Sequence, residues 1–126
     1  MIYKTQTHCS VNSVKAQLAE KAKQLGFGIL GSYEFKKILT EKGFAIEQDI
    51  TVYELCNPAG AQKALKSMLD ISVYLPCRLS IYEENGVTTL ATIGIEDMLQ
   101  TVNVDEEFKK HMSEIFQKIS ALMNAW

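Results

Sequence analysis

The feature that most constrains the fold is a two-residue turn, Asn85-Gly86, between two segments with the character of strands. Apolar and polar residues alternate over residues 75–82, and a second apolar segment follows at 87–93. Asn-Gly accepts the positive φ angles of a type I′ turn, which joins antiparallel strands with the twist of a sheet. The sequence therefore predicts an antiparallel hairpin late in the chain.

Helices are predicted where apolar residues recur at spacings of three and four. The longest begins at Val104, and its apolar positions form a wide stripe that needs an apolar surface to cover. Ser10 and Asn57 are predicted N-caps, and Pro58 fits the first turn of a helix. The other predicted elements are strands at 2–7, 27–31 and 44–56, helices at 11–25, 33–42 and 57–69, and a short helix or turn at 95–100.

No repeat or break in composition divides the 126 residues, so we predict a single domain over residues 1–126. The elements favour an α+β, two-layer architecture in which helices pack on one side of a small, largely antiparallel sheet. A partly parallel sheet stays open as an alternative, because helices separate the early strands.

Composition narrows the function mainly by exclusion. Hydrophobic residues at 47% and charged residues at 22% are typical of soluble globular proteins rather than membrane-spanning chains. A net charge of −2 argues against nucleic acid as a partner. The first residues lack the apolar core of a secretory signal, and three cysteines are an odd number for a disulfide framework. We therefore predict a cytoplasmic protein with reduced thiols and no membrane association.

Common catalytic and cofactor motifs are missing from the sequence. It contains no dinucleotide-binding glycine pattern, no phosphate loop, no His-Glu-x-x-His and no Gly-x-Ser-x-Gly. The sequence therefore contains no motif that supports enzymatic turnover, and it specifies no cofactor. Of the two histidines, His8 is interpreted as a bystander beside Cys9, and His111 is predicted to face solvent.

Two short segments place a thiol at a predicted strand end: Cys56-Asn57-Pro58 and Leu75-Pro76-Cys77-Arg78. With Phe27-Gly28-Ile29-Leu30 and the turn segment Ile81-Tyr82-Glu83-Glu84-Asn85-Gly86, they resemble the prokaryotic domain-of-unknown-function family 302. The resemblance covers about half the chain. It implies a TATA-binding-protein-like fold, with a curved antiparallel sheet backed by helices and frequent pairing as a homodimer. It implies no established activity.

We predict that a binding site lies near the two motifs, at Cys56, Asn57, Pro58, Pro76, Cys77 and Arg78. A helix N-terminus beside one thiol and a guanidinium beside the other favour thiolates, which bind soft metals or haem. A small-molecule ligand is equally compatible with these residues. The alternatives are a thiol–disulfide redox protein, with Cys56 attacking and Cys77 resolving, and a structural homodimer.

Plainer roles are open for the same residues. Free cysteines are most often small buried side chains, Asn57 is a helix cap, and Pro76 fixes a strand entrance. Arg78 pairs with Glu54 in this interpretation. Antiparallel neighbouring strands would bring the two thiols together, whereas parallel strands would hold them at opposite edges of the sheet.

The apolar stripe of the last helix has three interpretations. Its residues form either a plain core or an apolar ligand cavity between the sheet and the helix. The third is that Met123 and Trp126 extend past the domain and pack against a second subunit. The residues concerned are Met68, Met98, Phe108, Met112, Phe116, Met123 and Trp126.

Overall fold

The computed structural model describes residues 1–100 and 103–126, and its centre is one five-stranded sheet. The strands are β1 (Ile2–Thr7), β2 (Gly28–Glu34), β3 (Thr51–Cys56), β4 (Cys77–Glu84) and β5 (Val87–Ile93). They lie in the order β1-β5-β4-β3-β2, and each neighbouring pair is antiparallel. The predicted α+β class with an antiparallel sheet is confirmed, and the partly parallel alternative is wrong.

Five α-helices and one 3₁₀ helix accompany the sheet in the described residues. The α-helices are α1 (Val11–Gln24), α2 (Phe35–Glu41), α3 (Pro58–Ser67), α4 (Ile95–Gln100) and α5 (Glu106–Met123), and the 3₁₀ helix is Leu69–Tyr74. Within the described residues, no helix has the length and apolar character that crossing a lipid bilayer requires.

Helices α1, α3 and α5 pack on the same side of the sheet, which we call the helix face. Tyr3 of β1 shows the contact with α5, because its hydroxyl is hydrogen-bonded to Ser120 at 3.0 Å and its ring meets Phe116 edge to face. Thr5 Oγ1 donates to the Met123 carbonyl at 2.8 Å. The core is built from Leu55, Leu79, Ile81 and Leu90 of the sheet, Val14 and Leu18 of α1, Ala64 of α3, and Met112, Ile119 and Leu122 of α5.

The other side of the sheet, the opposite face, carries the alternate residues of each strand. Successive strand side chains point to opposite faces, and directly paired residues share a face. The pairs Val52↔Ser80 and Ser80↔Ala91 therefore lie on the opposite face, as does the pair Glu54↔Arg78. The side chains at the centre of this face are small and largely uncharged, and the charged pair of Glu54 and Arg78 lies toward the end of β3.

Local chemistry accounts for the turns and the helix ends. Asn85 and Gly86 both have positive φ, at 54° and 79°, which confirms the predicted hairpin. The Ser10 and Asn57 side chains accept hydrogen bonds from the Ser13 and Gly60 amides at 3.1 and 2.9 Å, as N-caps do.

The segment between α1 and β3 differs most from the prediction. β2 continues to Glu34, so pairing with β3 takes two residues from the predicted helix, and α2 keeps only Phe35–Glu41. β3 begins at Thr51, and Phe44, the first apolar residue of the predicted strand, is 76% exposed. The alternation of apolar residues predicted a strand from residue 44, but whether a segment forms a strand also depends on a neighbouring strand to pair with, which the alternation does not show.

His111 lies in the contact between α3 and α5, so the prediction that it faces solvent is wrong. It is 9% exposed, and its Nε2 lies 3.0 Å from the Gly60 carbonyl. Gly60 lets the two helices approach, because a Cβ at this position would lie 2.7 Å from Ile115 Cδ1. The imidazole thus meets a buried carbonyl that the close approach brings within reach.

The C-terminus folds back onto α1. Trp126 Nε1 donates to Gln17 Oε1 at 3.0 Å, and Lys21 Nζ lies 4.5 Å from the centre of the indole. Met123 is 2% exposed. The interpretation in which these two residues extend past the domain is therefore wrong, because Met123 is buried and Trp126 packs against the core of its own chain.

Replacing Asn57 with alanine should lower the free energy of unfolding by about 1 kcal/mol, because the Gly60 amide loses its side-chain acceptor at the start of α3. Urea unfolding followed by circular dichroism measures the change. Asn57→Asp keeps an acceptor and should stay close to the parent. Equal losses in the two variants would contradict the capping role.

Candidate functional site

β4 and β5 separate at one end of the sheet. Their pairing runs from Glu84↔Val87 to Ser80↔Ala91, and no further pair follows in the described residues. Beyond that point β4 pairs with β3 as far as Leu55↔Cys77, and β5 pairs with β1 as far as Ile2↔Ile93. Thr92 Oγ1 donates to the Arg78 carbonyl at 2.6 Å across the separation. A side-chain hydrogen bond thus links the two strands where their backbone pairing has ended.

A cleft of about 460 Å³ lies where the two strands separate. Its floor, on α4 and α5, consists of Met98, Met112, Ile115, Phe116 and Ile119. Its strand edges are Pro76, Cys77, Arg78, Ser80, Ala91 and Thr92. Because Ser80 and Ala91 belong to the opposite face and the floor lies under the helix face, the cleft reaches through the sheet.

The rim of the cleft is apolar and exposed. Ile2, Val73 and Ile93 line it and are 64%, 74% and 48% exposed. Arg78 is the one charged residue among those lining the cleft within the described part of the chain. A large apolar recess with a few polar groups is the usual form of a small-molecule site.

The structure divides the predicted site residues into two groups. Pro76, Cys77 and Arg78 line the cleft. Cys56, Asn57 and Pro58 do not line it; Asn57 caps α3, and Pro58 is the first residue of that helix. The Leu75–Pro76 peptide bond is cis.

The cleft also draws on residues that the two motifs did not include. Met98, Met112 and Phe116 line it, as the cavity interpretation of the last helix expected. The other residues of that interpretation lie elsewhere: Met68, Phe108, Met123 and Trp126. Ser80, Ala91 and Thr92 were missed. The signal that could have identified them was the presence of small residues at matching positions of the predicted hairpin. The spacing of these residues does not show, however, that the two strands separate there.

The two thiols lie on neighbouring antiparallel strands, Cys77 opposite Leu55 and Cys56 opposite Gly28. Since Leu55 and Cys77 share the helix face, Cys56 belongs to the opposite face. A disulfide needs Cβ atoms that face each other, so this register does not favour one. Within the described residues, no group of three or more His, Cys, Asp or Glu side chains is placed to hold a metal ion.

Burial raises the pKa of the Cys77 thiol, and the charge of a Cys56 thiolate would raise that pKa further. The direction is opposite to the one predicted from the neighbouring guanidinium. Removal from water is the largest cause, whereas the Arg78 side chain is 63% exposed and points to the other face. At neutral pH Cys77 is a protonated thiol in the wall of the cleft.

Arg78 takes part in a small polar network on the opposite face. Its Nη2 lies 3.9 Å from Glu54 Oε2, which confirms the predicted pairing at a loose distance. Tyr33 donates from its hydroxyl to Glu54 Oε1 at 2.6 Å, and this hydrogen bond together with the carboxylate charge raises the pKa of Tyr33. Glu54 is thus held mainly by Tyr33, and Arg78 is held weakly.

The fold and the cleft together define a class: two-layer α+β proteins with a five-stranded antiparallel sheet. The sequence profile of the domain of unknown function DUF302 matches residues 3–126, and the chain belongs to this family. It is similar to the crystal structure of an uncharacterized conserved DUF302 protein from Bacillus stearothermophilus. The identity is 28% and the TM-score 0.90, over 98% of this chain and 95% of that chain. No curated protein matches the sequence.

The rate at which iodoacetamide modifies Cys77 should rise with pH along a curve whose midpoint lies above that of the same thiol in urea, because folding removes the thiol from water. A Cys9→Ser, Cys56→Ser variant isolates Cys77 for mass spectrometry. Restoring Cys56 should move the midpoint further up. Coincident midpoints in the folded and unfolded protein would contradict the burial of this thiol.

Proposed function

We propose that this protein binds a small, largely apolar molecule in the cleft between β4 and β5, without enzymatic turnover. The observation that carries the proposal is the cleft of about 460 Å³ with its floor of methionine, isoleucine and phenylalanine. Removing apolar surface from water is favourable by about 25 cal/mol per Å². A guest that covers the apolar lining of the cleft gains that free energy in proportion to the area it covers.

The rim supports the same proposal. In the free protein, the exposed apolar side chains of Ile2 and Val73 are in contact with water, which is unfavourable in free energy. Both adjoin the cleft, so one guest covers floor and rim together. Scattered apolar side chains are common on protein surfaces, but apolar residues around a recess indicate a binding surface.

The thiol-based functions remain predictions. Binding of a soft metal or haem by Cys56 and Cys77, or cycling between dithiol and disulfide, would require one strand end to rotate so that both sulfurs share a face. Their position on neighbouring strands is the observation in favour.

A cytoplasmic location agrees with three free thiols, and the net charge of −2 agrees with a partner other than nucleic acid.

We further propose that the protein forms a homodimer through β2 and α2. β2 is an edge strand, and its outer side is free to pair with another strand. Four large apolar side chains are exposed along this segment, Ile29 at 37%, Leu30 at 66%, Tyr33 at 42% and Phe35 at 37%. A self-complementary edge of this kind suits a two-fold contact.

Replacing Val73 with aspartate should weaken the binding of an uncharged naphthylamine dye several-fold, since about 1 kcal/mol of apolar contact is lost at the rim. Fluorescence titration measures the dissociation constant. Leu69→Asp is the matched control, because Leu69 lies on the same 3₁₀ helix, is 80% exposed and does not line the cleft. Equal effects of the two substitutions, or no dye binding by the parent, would contradict the proposed site.

Replacing Leu30 with lysine should convert a dimer to a monomer, because it puts a charge at the centre of the exposed β2 segment. Native mass spectrometry over a range of concentrations reads the subunit number. Leu69→Lys, which adds the same charge to another exposed leucine, should leave the dimer intact. A parent that is monomeric at all concentrations refutes the proposal.

A further inference from the structure

The cleft has a chemical polarity that restricts the class of guest. Its floor under the helix face is apolar throughout. Arg78, paired with Glu54 in the sheet register, lies on the opposite face at the other end of the cleft. A guest that fills the cleft therefore has one end among hydrocarbon side chains and the other beside a guanidinium.

Arg78 retains hydrogen-bonding capacity for a guest. A guanidinium carries five N–H donors in a fixed fork that fits a carboxylate in a bidentate manner. Its contact with Glu54 is long, at 3.9 Å, and its side chain is 63% exposed. Glu54 itself is not among the residues that line the cleft, and its other oxygen is engaged by Tyr33. The guest therefore meets the positive partner of the pair first.

The volume limits the length of the guest. At ~30 Å³ per non-hydrogen atom, the share of a water molecule in the liquid, 460 Å³ holds about 15 such atoms. An unbranched carboxylate of about ten to twelve carbons meets this limit. Its chain would lie over Met112, Ile115 and Phe116, and its head would reach the exposed end.

Resting on the proposed function, we infer that the natural guest is a free monocarboxylate with an unbranched apolar chain, whose head is recognised by Arg78. The single cation in an otherwise uncharged wall is the feature that selects a monoanion. A neutral chain fills the same floor but gives the guanidinium no carboxylate beyond its long contact with Glu54, so it binds less tightly.

The test compares decanoate with 1-decanol, both below their micellar or solubility limits, by displacement of the naphthylamine dye at neutral pH. The parent should bind decanoate at least about tenfold more tightly, the gain expected of a charge-assisted hydrogen-bonded pair. Arg78→Gln should abolish that preference while leaving decanol unchanged. Glu54→Gln should strengthen decanoate binding alone, because it removes the competing carboxylate.

Lys4→Gln is the control for a general charge effect, because Lys4 pairs with Glu84 on the same face and does not line the cleft. It should leave both affinities unchanged. Decanol binding as tightly as decanoate overturns the carboxylate inference and leaves the apolar site standing. Binding of neither compound overturns the proposed site as well. Binding to anionic lipid vesicles without binding of free decanoate overturns the inference in favour of a membrane surface.

Discussion

A strand inside a sheet has a hydrogen-bonding edge on each side, and the way β4 divides its pairing between β3 and β5 determines the rest of this structure. β4 pairs on both sides only at Ser80 and Ile81, and beyond Ile81 it pairs with β5 alone. The doubly paired part carries the core residue Ile81 and its partner Leu90 against the helices. Before Ser80 it pairs with β3 only, while β5 follows β1. The strands separate where these two pairings diverge, and the cleft between them reaches the side chains of α5.

The two cysteine-containing motifs separate into different physical roles. Asn57 works locally, as the acceptor that starts α3, and Cys56 points away from the helix face. The Pro76-Cys77-Arg78 segment instead forms one edge of the cleft. Within it, burial suppresses ionisation of the thiol, whereas the guanidinium stays exposed and charged. The arginine, rather than the sulfur, is therefore the group suited to recognise a polar guest.

Features set by neighbours along the chain could be predicted from the sequence. The Asn85-Gly86 turn and the Ser10 and Asn57 caps follow from the conformations and acceptors of those residues alone. Features set by distant partners could not. The length of β2 depends on where β3 lies, and the burial of His111 depends on a glycine 51 residues earlier in the sequence. The cleft belongs to this second group, because it arises from a pairing that stops.

Gly60 extends that dependence on distant residues to the cleft itself. Its missing side chain allows α3 to press against Ile115, and Ile115 forms part of the cleft floor. A methyl group at position 60 would force the isoleucine to shift, and the adjoining empty space is the cleft. The depth of the cleft therefore depends on the backbone at position 60, which does not itself line the cleft.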